Sequence, residues 1–175
     1  AYGLRQGLLR AGAARVDVVS LERDPASQRP AEVVFAVRQD EVEDYREAAR
    51  LLSRCADAVL LQHEYGIFGG PDGSLVLELV ARLRRPLITT LHTVLAEPAP
   101  GQRQVLGELA ARSPALVVMA RAAAERLTRV YGVPGEKVHV LPHGVPLPPP
   151  GTPAYWKRRL DLEGRTVALT FGLLS

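Results

Sequence analysis

Three of the four histidines of this chain stand where an apolar, strand-like run ends. His63 comes just after Ala58–Leu61, His92 after Pro86–Leu91 and His143 after Lys137–Leu141. Beside them lie Glu64, Tyr65 and Thr93, with glycines at Gly66, Gly69, Gly70 and Gly73. A carboxylate and imidazoles of this kind accept hydrogen bonds from hydroxyls, hold charge or move a proton. The glycines permit positive φ and close backbone approach, and free N–H groups there, at Gly69 and Gly70 among them, suit an anion or sugar hydroxyls. Glu64 reads equally well as an acceptor or base and as a turn carboxylate paired with an arginine. His92 is expected to meet a substrate hydroxyl or a charge near a reacting carbon, against the alternative of a core histidine satisfied by backbone. His143, between Pro142 and Gly144, is expected in a sharp turn, with a hinge or domain-interface role beside that. His139 lies inside its run and reads as structural. Tyr65 and Phe68 either pack the loop or stack on a sugar ring.

Several chemistries fail on residues. The glycine-rich loop lacks G-x-G-x-x-G spacing, and Thr89-Thr90-Leu91-His92 carries no acid for a ribose. No G-x-x-x-x-G-K-[ST] loop occurs, His63-Glu64 lacks the second histidine of H-E-x-x-H, and no G-x-S-x-G elbow exists. His139 and His143 are four apart, but Pro142 breaks any helix that would align them. A glycoside hydrolase needs two placed carboxylates, and only Glu64 is well positioned. The single cysteine, Cys55, excludes an intramolecular disulfide and a cysteine metal cluster, and reads as a small buried hydrophobe. No metal site is expected.

Such residues need a scaffold that brings strand ends together. The expected elements alternate: a helix from Leu4 ending near Gly12, strands at Val16–Leu21 and Val33–Val37, and a helix at Glu41–Cys55 with Val42, Tyr45, Ala48, Ala49 and Leu52 on one face. Then come strand Ala58–Leu61, loop Gln62–Gly73, helix Ser74–Arg84, strand Pro86–Leu91, loop His92–Pro100 and helix Gln102–Arg112. Strand Ala115–Met119, helix Arg121–Tyr131 stopped by Gly132, and strand Lys137–Leu141 complete the series. Apolar strands alternating with helices predict an α/β, Rossmann-like parallel sheet with helices on both faces. Ligands of such sheets bind at the carboxyl ends of the strands, so Glu64 and His92 are expected side by side on one rim.

Residues 1–145 are expected to form this domain, lacking its first strand. Residues 146–164 read as a Pro-rich interdomain linker with a short helix near Ala154–Leu160, there being five prolines from Pro146 to Pro153. Residues 165–175 are expected to open a second domain with a strand at Thr166–Phe171. Both ends of the sequence read as interior, since the start is already helical and the end follows a strand.

The 175 residues are 47% hydrophobic and 23% charged, a globular balance, with aromatics at only 5%, so Val, Leu, Ile and Ala must build the core. Net charge is +3, and all basic residues but Lys137 and Lys157 are arginine. Clusters at Arg84-Arg85 and Lys157-Arg158-Arg159 read as solvated surface; peripheral contact with an anionic membrane or with phosphate-bearing substrates is the sharper reading. Nucleic acid is not expected, because no aromatics interleave with these clusters. No apolar run reaches the roughly 18–20 residues that span a bilayer, nothing reads as a signal peptide, and a cytoplasmic protein is the default.

Four landmarks in order, Gln62-His63-Glu64-Tyr65-Gly66-Ile67-Phe68-Gly69-Gly70, Thr90-Leu91-His92-Thr93, Val138–Val145 and Phe171–Ser175, resemble those of family-4 glycosyltransferases, retaining enzymes of the GT-B fold. The resemblance implies two Rossmann-like domains across a cleft, of which this would be the amino-terminal, acceptor-side half. It implies that His92 contacts the donor sugar near the reaction centre and that His63 and Glu64 belong to the acceptor-side loop, with Tyr65, Gly69, Gly70, Thr93 and His143 as further substrate-binding positions. His143 replaces the family's usual Asn before the linker. The implied reaction moves a hexose from a nucleotide-sugar donor to a hydroxyl of a glycan, lipid or small molecule. The donor is a substrate, and no cofactor or essential metal is implied. Donor phosphate leaves, helped by positive charge, while the acceptor attacks the same face. The implied partner is a carboxyl-terminal domain of the same protein, without which this half would be inactive. A sugar-nucleotide epimerase of the same fold and a non-catalytic binding module are the alternatives.

Overall fold

The computed structural model describes residues 2–23, 29–144 and 151–168. The chain divides into two compact units, 1–144 and 145–175.

In the first unit, helix α1 (Tyr2–Arg10) precedes strands β1 (Val18–Glu22) and β2 (Val33–Arg38), and helix α2 (Val42–Cys55) leads to β3 (Val59–His63). Two 3₁₀ turns, Tyr65–Ile67 and Pro71–Gly73, enter the short helix α3 (Val76–Val80). Then follow β4 (Leu87–Leu91), α4 (Pro100–Arg112), β5 (Ala115–Val118), α5 (Arg121–Tyr131) and β6 (Val138–Val140). All pairings are parallel, in two ladders: β1 with β2, and β3-β4-β5-β6 in that order. This is the expected α/β, Rossmann-like architecture.

The helices follow from their stripes. In α2, Tyr45, Ala48 and Ala49 are buried and Leu52 packs beside them; a side chain that leaves water this way contributes about 1.5–3 kcal/mol when it is as large as Leu or Phe. Gly132 ends α5 in the left-handed conformation, at φ 69°. Pro100 opens α4 two residues before the expected start, since a helix's first position has no intrahelical use for the missing N–H. Helix α3 is shorter than Ser74–Arg84. Its entry is 3₁₀, with Asp72 at φ 54°, and Ser74 and Leu75 bond to the carbonyls of Pro71 and Gly69 instead of to a preceding α turn.

Side-chain parity decides which face each strand residue takes. Val59, Leu61, Leu87, Leu91, Leu116 and Val118 are buried beneath residues of α2, α3, α4 and α5 in two adjoining clusters. The opposite face, with Leu60, Gln62, Ile88, Thr90 and Val117, is half-buried or exposed, and among the described residues it carries no comparable buried cluster. Cys55 corrects an expectation. It is exposed as the last residue of α2, beyond the part of the stripe where Ala48 and Ala49 meet the sheet.

In the second unit, α6 (Pro153–Arg159) is capped by Thr152, whose hydroxyl accepts the Tyr155 N–H at 3.2 Å, and it ends on Lys157, Arg158 and Arg159. Of the strand expected at Thr166–Phe171, residues 166–168 have no regular structure and the rest lie outside the described residues, as do the Phe171–Ser175 landmark and residues 145–150 of the linker. No helix among the described residues is long and apolar enough to cross a membrane.

Candidate functional site at the carboxyl ends of the strands

Strand β3 runs two residues farther than its apolar run, because Gln62 pairs with Thr90 and His63 with Leu91 of β4. That extension settles the fate of His63. As the third member of the alternation Val59-Leu61-His63 it enters the buried face, at 0% exposure. Its ring stacks on Phe68 (centroids 5.6 Å, 13° between planes) and meets Tyr65 edge-on at 5.0 Å. Neither ring nitrogen has a hydrogen-bond partner. Burial disfavours the imidazolium and pushes the His63 pKa down to about 4, against a smaller opposing pull from Glu64. The acceptor-loop contact expected of His63 is therefore not open to it as folded. Tyr65 and Phe68 pack against it rather than facing solvent as a stacking surface, and burial raises the Tyr65 phenol above its usual range.

One residue on, the chain turns to the rim. Glu64 caps the first 3₁₀ turn, with Oε1 accepting the Tyr65 N–H at 3.0 Å. Its Oε2 accepts the Thr93 hydroxyl at 2.6 Å, so the loops after β3 and β4 are tied together through this carboxylate. The paired arginine that a simple turn would want is replaced by Thr93. The His92 N–H bonds to the His63 carbonyl at 3.0 Å, continuing the ladder, while the exposed His92 ring places Nε2 2.9 Å from Gln62 Oε1. The Gln62 Nε2 in turn donates to Thr90 Oγ1 at 3.1 Å. His143, beyond β6, brings its ring to 6.4 Å from that of His92. Gln62, Glu64, His92, Thr93 and His143 thus converge from three strand ends on one rim, whereas His63 does not.

The glycine positions divide. A Cβ at Gly69 would overlap the Gln39 carbonyl oxygen. The Gly69 N–H is taken by the buried Tyr45 hydroxyl at 3.0 Å, which itself donates to the Gln39 carbonyl at 2.7 Å. The amide expected to be free for a ligand at Gly69 is thus a structural one. Gly70 is exposed, at φ 75°.

Two rim residues were not singled out from sequence. Gln62 has a signal in retrospect, its alternation with His63 at a strand end. Arg23, after β1, reaches the same loop, donating to Gln39 Oε1 at 2.8 Å and to the Gly66 carbonyl at 3.0 Å; the polar stretch around it gave no hint of that long-range contact. Among the described residues no cluster of three or more His, Cys, Asp or Glu is arranged to hold a metal ion.

The sequence profile of Glycosyltransferase Family 4 matches residues 1–147. A D-inositol 3-phosphate glycosyltransferase of Xylanimonas cellulosilytica is 38% identical over 96 residues, covering 49% of this chain and 22% of that protein. The chain matches about a fifth of the length of that relative. A profile match over most of the sequence, on a parallel α/β sheet whose strand ends gather acceptors and imidazoles, identifies the chain as a member of glycosyltransferase family 4.

Proposed function

We propose that this chain is the acceptor-side half of a retaining glycosyltransferase that moves a hexose from a nucleotide-sugar donor to an acceptor hydroxyl. The observation that carries the reading is the joint placement of Glu64, His92 and Thr93 on one rim, through the Thr93–Glu64 and His92–Gln62 hydrogen bonds, with the His143 ring 6.4 Å from that of His92. His92 stands at the point where a donor sugar would meet the domain. Its exposed ring reaches a hydroxyl or a developing charge. Glu64 keeps further lone pairs for an acceptor hydroxyl after serving Tyr65 and Thr93. The contribution of this half is orientation and electrostatic stabilisation of the separating charges.

The second unit, with its Pro-rich approach, serves in this reading as the link to a donor-binding domain of the same protein, which supplies the contacts to the diphosphate; this half alone is inactive. The exposed basic turn of α6 and Arg84-Arg85 leave an anionic membrane surface as a further contact. The name of the relative makes a phosphorylated polyol the first acceptor class to test.

The test is a screen of the full-length protein with a panel of nucleotide sugars and polyol phosphate, glycan and lipid acceptors, read by mass spectrometry and by NMR of the anomeric centre. The expected result is a hexosylated product with the donor's anomeric configuration. Product of inverted configuration, epimerised donor or no transfer with any pair would overturn it.

A further inference from the structure

The geometry points to Gln62 as a positioning residue that fixes the tautomer of His92 and so the kind of hydrogen bond His92 offers a substrate. The inference rests on the transfer reading above for the substrate's identity, but its structural half stands apart from it.

A primary amide has two unlike ends, one that donates and one that only accepts. Gln62 is held by the strand register with its side chain on the same face as Thr90 and His92. Its Nε2 donates to Thr90 Oγ1 at 3.1 Å, which turns Oε1 toward His92 Nε2 at 2.9 Å. An amide oxygen accepts and never donates, so His92 Nε2 must carry a hydrogen. In the neutral ring the remaining nitrogen, Nδ1, then holds a lone pair, and among the described residues it has no hydrogen-bond partner. The which-nitrogen question for a histidine is set by the bond its other nitrogen makes. With the amide oriented this way, the chain Thr90–Gln62–His92 sets it from inside the sheet outward.

The consequence is chemical. Neutral His92 meets its ligand as an acceptor through Nδ1, which selects a group that donates, such as a sugar hydroxyl. A site built to receive a hydroxyl's hydrogen discriminates strongly against an analogue that lacks it. The buried His63 on the neighbouring strand has no such partner on either nitrogen, so the arrangement is particular to the exposed face.

The experiment uses the full-length protein with ¹⁵N-labelled histidine, the His92 signals being assigned by their loss in His92→Ala. Wild type should show His92 protonated at Nε2 in its neutral form. Gln62→Met should weaken that preference to that of a free ring and lower kcat by about tenfold, the order an outer partner contributes to orienting a metal-bound histidine, with KM for the acceptor little changed. Gln62→Glu should keep the Nε2–H, because a carboxylate likewise only accepts. Thr90→Val should loosen the amide and weaken the preference without removing it. A wild-type ring protonated at Nδ1, or an unchanged tautomer in Gln62→Met, overturns the assignment, because a merely structural glutamine would leave both untouched. Full activity in His92→Ala would remove the transfer role of His92 instead, while the tautomer result would still decide the role of Gln62.

Discussion

His63 and His92 end neighbouring strands of one sheet and meet opposite fates. His63 is sealed between Phe68 and Tyr65 with both nitrogens unpartnered, whereas His92 stands in solvent with Nε2 held by Gln62. The two residues differ in nothing intrinsic. Parity along the strand sends one to the face covered by helices α2–α5 and the other to the rim on the opposite, half-buried or exposed face. An imidazole is thus a neutral packing piece or a hydrogen-bonding tool depending on which side of the pleat it occupies, and proximity to a motif is a poor guide to which.

The comparison breaks most sharply at His92. His92→Ala in the full-length enzyme should lower turnover by about 10²–10³-fold, the scale of losing one hydrogen-bonding group aimed at the reaction centre, with thermal stability unchanged because the ring is exposed. Near-normal glycosyl transfer would end the functional side of the contrast.

His63 should show the converse, a stability effect that depends on pH. Its folded pKa of about 4 lies below the unfolded value of 6.5, so the unfolded chain binds the proton more readily. The neutral, buried ring therefore stabilises fully above about pH 6.5, and that contribution is lost as pH falls toward 4, by about 3 kcal/mol in total. Urea titrations of wild type between pH 7 and 4 should show this slope. In His63→Phe, which keeps a ring between Phe68 and Tyr65 and removes the unpaired nitrogens, the slope should flatten. An equal slope in both proteins would mean that other groups carry the acid sensitivity.

The lid over His63 can be tested next. Gly69→Ala must push against the Gln39 backbone, and should cost about 1–3 kcal/mol, the range of overpacking; a change below 0.5 kcal/mol, on the order of a surface substitution, would show that the loop yields freely. On the rim side, Thr93→Val removes the hydroxyl from Glu64 and should cost about 1 kcal/mol of stability, since the pair is half-buried and Glu64 regains water. Hydrogen exchange at the Tyr65 amide should rise in that variant if Thr93 helps to hold Glu64 in its cap.

Much of the scaffold was legible in residue order. The apolar runs gave the strands, the stripe Tyr45-Ala48-Ala49-Leu52 gave α2, and Gly132 gave the end of α5, because these signals are local: a period, a cap, a missing Cβ. Legibility failed where the deciding contact lay far away in sequence. The last two residues of β3 join the strand only through their pairing with Thr90 and Leu91. Gly69 is needed because of Gln39, 30 positions upstream, and Cys55 lies outside the packed stretch of its own helix although Leu51 and Leu52 stand one turn before it.

Sequence alone determined that strand ends would carry Glu64, His92, Thr93 and His143, since a run of apolar residues followed by polar ones marks where a buried strand reaches water. Only the tertiary structure decided which imidazole remains available and which of its nitrogens is held. Those depend on register between β3 and β4, and register is a property of two strands together, set by the contacts each makes with the other and with the helices that cover one face.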